Sequence, residues 1–447
     1  NKFRAINWTK DGYSGGITKA TLEKELNKDT TVSFEGHAIP QNNDMASDLL
    51  IKKEDVGYVK LSYDLFRKYY ENSGGYFPTY PTPQQTLDKE LALDIGHFLF
   101  EAGKGSPDDP DLSFAYERNT KDGSKSSTIW GYVRGAAPYD AANLRRKLSP
   151  TFIDGEETID TLTVKGKANV AGFKVKGEQQ YVFSQSDKHR EEHIVSSTAS
   201  EQTYPTTNED TQTKELSTTV RAERWSLNDK TFVAFGYRFK HIRNTQLWDL
   251  ETLTINHAFP TTYEGSDATH SLDSHIWTGQ LLSNLTDKLA FISSLKGETR
   301  ASQGTANIAT VNYSTGAKTG EDDYSNENTI TSLGESFSLR YAALPKMSLY
   351  TDLEMQQERN WRSNYGEHGS YETINNTPET MGTLGMRFSP AKSLNVTTEY
   401  QHGVKNDRLS TVTKIDSGTP DFAFFKKFRT NTDEFSSRLS WKPVNWF

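Results

Sequence analysis

Apolar and polar side chains alternate with period two along much of the chain. The pattern is plainest where Leu394, Val396, Thr398 and Tyr400 interleave with Asn395, Thr397, Glu399 and Gln401. Leu349, Leu353 and Met355 stand in the same way against Ser348, Asp352, Glu354 and Gln356. Val233, Phe235, Tyr237 and Phe239 oppose Ala234, Gly236, Arg238 and Lys240, and Phe173, Val175, Tyr181 and Phe183 oppose Lys174, Lys176, Glu178 and Gln180. Leu112-Phe114-Tyr116 and Phe337-Leu339-Tyr341 repeat the theme. Successive side chains of a strand point to opposite faces, so each segment is predicted as a strand with one apolar and one polar side.

A soluble sandwich also alternates, and it is the connections that discriminate. Short polar turns fall at Leu227-Asn228-Asp229-Lys230, Leu285-Thr286-Asp287-Lys288, Leu344-Pro345-Lys346 and Ser389-Pro390-Ala391-Lys392, with a fifth expected at Trp441-Lys442-Pro443-Val444. They recur every 45 to 58 residues. Each interval holds two strands of about ten residues and leaves about 20–30 for a distal loop. The polar stretches Ser186 to Lys214, Gly304 to Asn328, Arg359 to Thr380 and Asn406 to Thr430 are the predicted loops. Short turns at one end and long hydrophilic loops at the other are the asymmetry of outer-membrane barrels.

The predicted fold is therefore all-β, a transmembrane antiparallel β-barrel of roughly 16–20 or more strands with short periplasmic turns and long extracellular loops. Residues 1–447 are read as a single barrel in the bacterial outer membrane, less regular over 1–110. There, Val32, Phe34 and Ala38 follow a tight turn at Asn27-Lys28-Asp29, and Val56 to Tyr70 is long enough for a strand. The Gly- and Pro-rich stretch Ser73 to Leu87 leaves open an inward or an extracellular segment.

Composition supports this reading. Only 34% of the residues are hydrophobic, yet 12% are aromatic, with 21 Tyr, 23 Phe and 8 Trp. So apolar-poor a chain would struggle to fill a large conventional core, and so aromatic a chain is not built for disorder. A barrel with a wet lumen, an apolar lipid face and aromatic girdles accounts for both values. No window reaches the about 18 apolar residues a membrane helix needs. A net charge of −8 argues against a nucleic-acid surface. The absence of cysteine removes disulfides, thiolate metal sites and covalent attachment of c-type haem, so any haem belongs to a partner. No leader precedes Asn1, and the numbered chain is read as mature or trimmed.

His189-Arg190-Glu191-Glu192-His193 matches H-x-x-E-H, which binds zinc when its histidines sit one helical turn apart. Here it follows a strand and opens a Ser/Thr/Gln-rich stretch, and it is read as a solvated loop. The acidic groups Asp108, Asp109, Asp111 and Glu321, Asp322, Asp323 lack the calcium-loop pattern and are read as exposed loops. No phosphate-binding glycine loop or nucleophile elbow occurs, and no enzymatic activity or catalytic residue is assigned. With the strands phased as above, Lys174, Lys176, Glu178, Arg238, Arg340, Asp352, Glu354 and Glu399 are the candidate lumen-facing residues.

Val59-Lys60-Leu61-Ser62-Tyr63-Asp64-Leu65-Phe66-Arg67-Lys68-Tyr69-Tyr70, followed by Gly74-Gly75-Tyr76-Phe77-Pro78, resembles the early strand and aromatic-glycine loop of the porin-cytochrome barrels of the MtrB/PioB type. Leu112-Ser113-Phe114-Ala115-Tyr116-Glu117-Arg118, Asp122-Gly123-Ser124-Lys125-Ser126, Trp130-Gly131 and the turns at Pro345, Pro390 and Pro443 are similar to that family as well. The resemblance implies a barrel that sheathes a periplasm-facing multihaem c-type cytochrome, often with a second cytochrome docked outside, for extracellular electron transfer. Haem is then expected only on the partners, and outer-membrane lipid is the other partner. The N-terminal cysteine pair of some members is missing here. The alternative reading is a general diffusion porin or an outer-membrane solute transporter, with a barrel enzyme or adhesin behind both. At the chain's end, Lys442-Pro443-Val444 reads like the internal Pro-marked turns, whereas Phe447 suits a closing strand. The first reading is favoured, so a larger barrel than this chain alone is expected.

Overall fold

In the computed structural model the described residues are 6, 12–70, 90–132, 146–192, 203–226, 229–254, 262–311, 318–342, 344–366, 369–391, 393–414 and 426–442. They form one 17-stranded sheet. Its strands are β1 (Ile17–Asn27), β2 (Thr30–Ile39), β3 (Asp44–Lys53), β4 (Gly57–Tyr69), β5 (Ala92–Ser106) and β6 (Asp109–Tyr132). They continue as β7 (Arg146–Val170), β8 (Phe173–Glu192), β9 (Thr203–Trp225), β10 (Thr231–Thr254), β11 (Thr262–Thr286) and β12 (Leu289–Val311). The last are β13 (Lys318–Tyr341), β14 (Met347–Gly366), β15 (Gly369–Ala391), β16 (Leu394–Lys414) and β17 (Lys427–Trp441). Every strand pairs antiparallel with its neighbours in sequence, a meander from β1 to β17.

Short connections lie where expected at Asp229, Asp287 and Lys346, and an unexpected one joins β7 to β8. Ala171 and Gly172, with φ of 51° and 78°, join β7 to β8 in the left-handed conformation that two-residue hairpins demand. Asp229 and Lys346, at φ 50° and 61°, open the turns into β10 and β14, and Asp229 N–H donates to the Ser226 carbonyl.

The opposite end corrects the sequence reading. The segments expected as long loops are largely strand: most of 186–214 belongs to β8 and β9, 304–328 to β12 and β13, 359–380 to β14 and β15, and 406–430 to β16 and β17. Strands thus run to 25 residues instead of about ten. The physical reason is that Thr-, Ser- and Asn-rich segments keep their cross-strand ladders in water, where polar side chains suit both faces. Within the less regular first 110 residues lie β1 to β5, with a short 3-10 turn at Pro40–Asn42. Ser73 to Leu87, Pro443 and Phe447 lie outside the described residues.

Two faces result. On one, apolar positions align strand after strand beside the short turns: Leu339 pairs with Phe291 and Thr351, Leu353 with Phe337 and Gly382, and Leu384 with Tyr400. These side chains stay exposed, Leu384 at 64% and Phe235 at 57%, which in water would be a severe liability. On the other face small polar residues, Ser62, Ser113, Ser217 and Ser274, are buried beneath longer neighbours, as on the concave side of a curled sheet. The apolar face therefore points outward. No described helix is long and apolar enough to cross a membrane, so the crossing is made by strands.

Candidate functional site

The outward band has aromatic borders. Near the turns stand Phe173, Tyr341, Phe388 and Trp441; farther along, Tyr63, Phe98, Tyr116, Tyr181, Tyr400 and Phe435, with Tyr237 facing Trp277, make a second belt. Rings at two levels flanking an apolar band about 25 Å tall mark the two interfaces of a bilayer. The protein is an outer-membrane β-barrel.

The inward face is the candidate site. Lys174, Lys176 and Glu178 on β8, Arg238 on β10, Arg340 on β13, Asp352 and Glu354 on β14 and Glu399 on β16 all occupy its register, each two residues from the next inward position of its strand. They do not converge on one spot, because they lie on five strands spread from β8 to β16. Around them charge is divided by wall. From β7 to β10 the inward positions carry Lys165, Lys167, Lys174, Lys176, Lys188, Arg190, Arg221, Arg238 and Lys240 against Glu157, Glu178, Glu209, Glu215 and Glu223. From β14 to β17 they carry Asp352, Glu354, Glu358, Glu379, Glu399, Asp407 and Glu434 against Arg362, Arg387, Lys405 and Arg438.

Some of these charges are tied. Lys240 Nζ lies 2.8 Å from Glu215, Arg221 3.1 Å from Glu223 and Lys296 3.5 Å from Glu298. Tyr350 donates to Glu399, and Tyr58 donates to Glu101 at 2.5 Å. Lys174, Glu178, Arg238 and Glu354 have no ion-pair partner among the described residues. A recess of about 240 Å³ opens on this face between β12 and β15, lined by Lys296, Glu354, Gln356, Glu379 and Met381. Chemically the wall can bind charge.

The motif at His189 is corrected: His189 to Glu192 continue β8 rather than open a loop, and His193 lies outside the described residues. The helical backbone the motif requires is absent at His189, which contacts Asn208 at 2.7 Å. Among the described residues no cluster of His or carboxylates is arranged to hold a metal. Glu321, Asp322 and Asp323 are likewise strand, part of β13, with Asn307 Nδ2 donating to Glu321 and Asp323 at 2.9 and 2.8 Å. Asp109 and Asp111 lie at the β5–β6 turn and pair with Lys167 at 2.8 and 3.3 Å; Lys176 reaches Asp109 at 3.4 Å. The Lys167 ammonium holds the Asp109 carboxyl below its ordinary range. Sequence spacing could not show these pairs, since Lys167 and Lys176 sit on other strands.

No family model matches the chain, and no curated protein matches it. Among solved structures it is similar to the ferric-catecholate import receptor Fiu of E. coli K12, with 10% identity over 90% of this chain and 74% of that one, at a TM-score of 0.40. The ferric yersiniabactin uptake receptor FyuA of Yersinia pestis shares 10% identity over 97% and 73%, also at 0.40. A Pseudomonas aeruginosa FadL homologue shares 10% over 86% and 89%, at 0.22. Superpositions this loose add nothing to what the barrel's own faces establish.

Proposed function

We propose that this barrel sheathes a periplasm-facing multihaem c-type cytochrome, so that electrons cross an otherwise insulating outer membrane. The observation that carries the reading is a wide inward wall divided by charge, on which Lys174, Glu178, Arg238 and Glu354 have no ion-pair partner among the described residues. Seventeen strands about 4.8 Å apart and tilted by about 40° would close on a backbone radius of about 17 Å, room for a folded guest a few helices thick. Basic β7–β10 and acidic β14–β17 lie about half a circumference apart in such a ring, which gives a guest with its own dipole one preferred rotation. The resemblance to the MtrB/PioB-type barrels points the same way. Having no cysteine, the chain would act as an insulating sleeve for haem carried by the guest, with a second cytochrome docking outside.

A second reading, a general diffusion porin or solute transporter, draws on the same divided walls, which would orient dipolar solutes in transit. Purification through this chain separates the two. Co-purified c-type haem, seen by haem stain and visible spectrum, is the expected result. A colourless protein that conducts ions in planar bilayers would overturn the sheath.

A further inference from the structure

On the outward face of β9 and β10, Lys214 and Arg243 stand directly opposite one another. Like charges so placed repel, and neither has a carboxylate partner among the described residues. Several other outward cations near this level are matched, Arg67 with Asp94 at 2.6 Å, Arg118 with Asp160 at 3.7 Å and His402 with Asp433 at 2.8 Å, while Arg359 faces Thr331 and Asn376 and Arg429 faces Asn406 rather than a second cation.

The height of the pair is informative. Lys214 stands eleven positions from Trp225, the end of β9, and Arg243 twelve from Thr231, the start of β10. In a tilted strand that is about 28 Å from the turns, just past the apolar band of about 25 Å and one step beyond Tyr181, which pairs with Leu216 two residues from Lys214. The ammonium of Lys214 lies over the Phe183 ring, 6.0 Å from its centroid. Beside Arg243, His241 is held through Nδ1 by Asp273 at 2.7 Å, which leaves Nε2 available.

We infer that Lys214 and Arg243, with His241 beside them, bind a phosphate of an outer-leaflet lipid headgroup against the outside of the barrel. A phosphate between the two cations turns their repulsion into two charge-assisted contacts, and the Phe183 ring borders the acyl region below. The continuity of the site with the lipid-facing band commits it to a membrane lipid rather than a free anion.

The test is native mass spectrometry of the full barrel extracted in detergent, with bisphosphorylated lipid A as the probe. The parent is expected to retain the lipid, and K214Q/R243Q to lose about tenfold or more of that affinity. R243K, which keeps the charge, should retain most of it. R408Q/K427Q, which removes another facing pair farther from the bilayer, should behave as the parent. Heat-modifiable gel mobility reports folding of each variant; if the double variant does not fold, R243Q alone and dephosphorylated lipid A on the parent carry the test. Equal retention by the Gln variant, equal binding of dephosphorylated lipid, equal loss in R408Q/K427Q, or displacement by millimolar inorganic phosphate would each overturn the assignment.

Discussion

Tyr350 lies across the backbone of Gly385, so closely that a β-carbon at Gly385 would sit 2.1 Å from its ring. The two residues are paired across β14 and β15, and Gly385 pairs in turn with Glu399 on β16, to which the Tyr350 hydroxyl donates. One side chain thus ties three strands together, and only glycine leaves it the path. G385A is expected to cost about 1–3 kcal/mol by forcing the ring away, and Y350F about 0.5–1.5 kcal/mol through the lost hydrogen bond. The diagnostic is the double mutant cycle: in a Y350A background G385A should cost little. Additive losses in urea midpoints would show that the ring and the glycine are not coupled.

Glu335 breaks the outward apolar register. It pairs with Leu295 on β12 and Met355 on β14, and Leu333 and Phe337 flank it on its own strand. A carboxylate on the lipid face is costly, less so than a Lys or Arg but still unfavourable. E335L is therefore expected to stabilise the folded barrel by about 1–2 kcal/mol, read as a higher unfolding midpoint in lipid vesicles. A midpoint at or below that of the parent would mean the carboxylate has a partner in the membrane.

The strands, their faces and the short turns were legible in the sequence because all three depend on local chemistry: alternation, turn residues and Pro or Gly positions. Lys174 through Glu178 and Asp352 with Glu354 fell in one register for the same reason. What could not be read was where strands stop. Ser186 to Lys214 has a loop's composition, and its described residues are strand because neighbouring strands supply ladder partners that no local window contains. The Asp109–Lys167 pair and the division of charge between walls were hidden similarly, since both arise from register between separate strands.

Asp94 shows how register creates a clasp. Its carboxylate accepts from Arg67 Nε and Nη2, both at 2.6 Å, and from Asn43 Nδ2 at 3.2 and 3.3 Å, joining the β2–β3 turn to β4 and β5 beyond the outer belt. The Arg67 contact holds the Asp94 carboxyl below its ordinary range. A depressed acid stabilises the fold at pH above its unfolded value, about 3.9, and that contribution disappears as pH falls through the folded value. D94N should cost about 1–3 kcal/mol at neutral pH and progressively less below pH about 4. A loss that stays constant with pH would assign the effect to packing rather than to the ion pair.

Asp210 carries the opposite sign. It pairs across the sheet with Asp187, fifteen positions from the end of β9, and its Oδ1 is buried without a hydrogen-bond partner. Burial raises its pKa first, and the facing Asp187 raises it further. A raised acid binds its proton more tightly folded than unfolded, so the stability it contributes is present at low pH and is lost as pH climbs from about 3.9 through the folded value. D187N removes one source of that shift. The variant should exceed the parent in thermal midpoint at pH 7, where like charges facing across strands cost about 0.2–1 kcal/mol, and the advantage should shrink toward pH 4 as Asp210 takes up its proton. An advantage of equal size at both pH values would show that the two carboxylates do not interact.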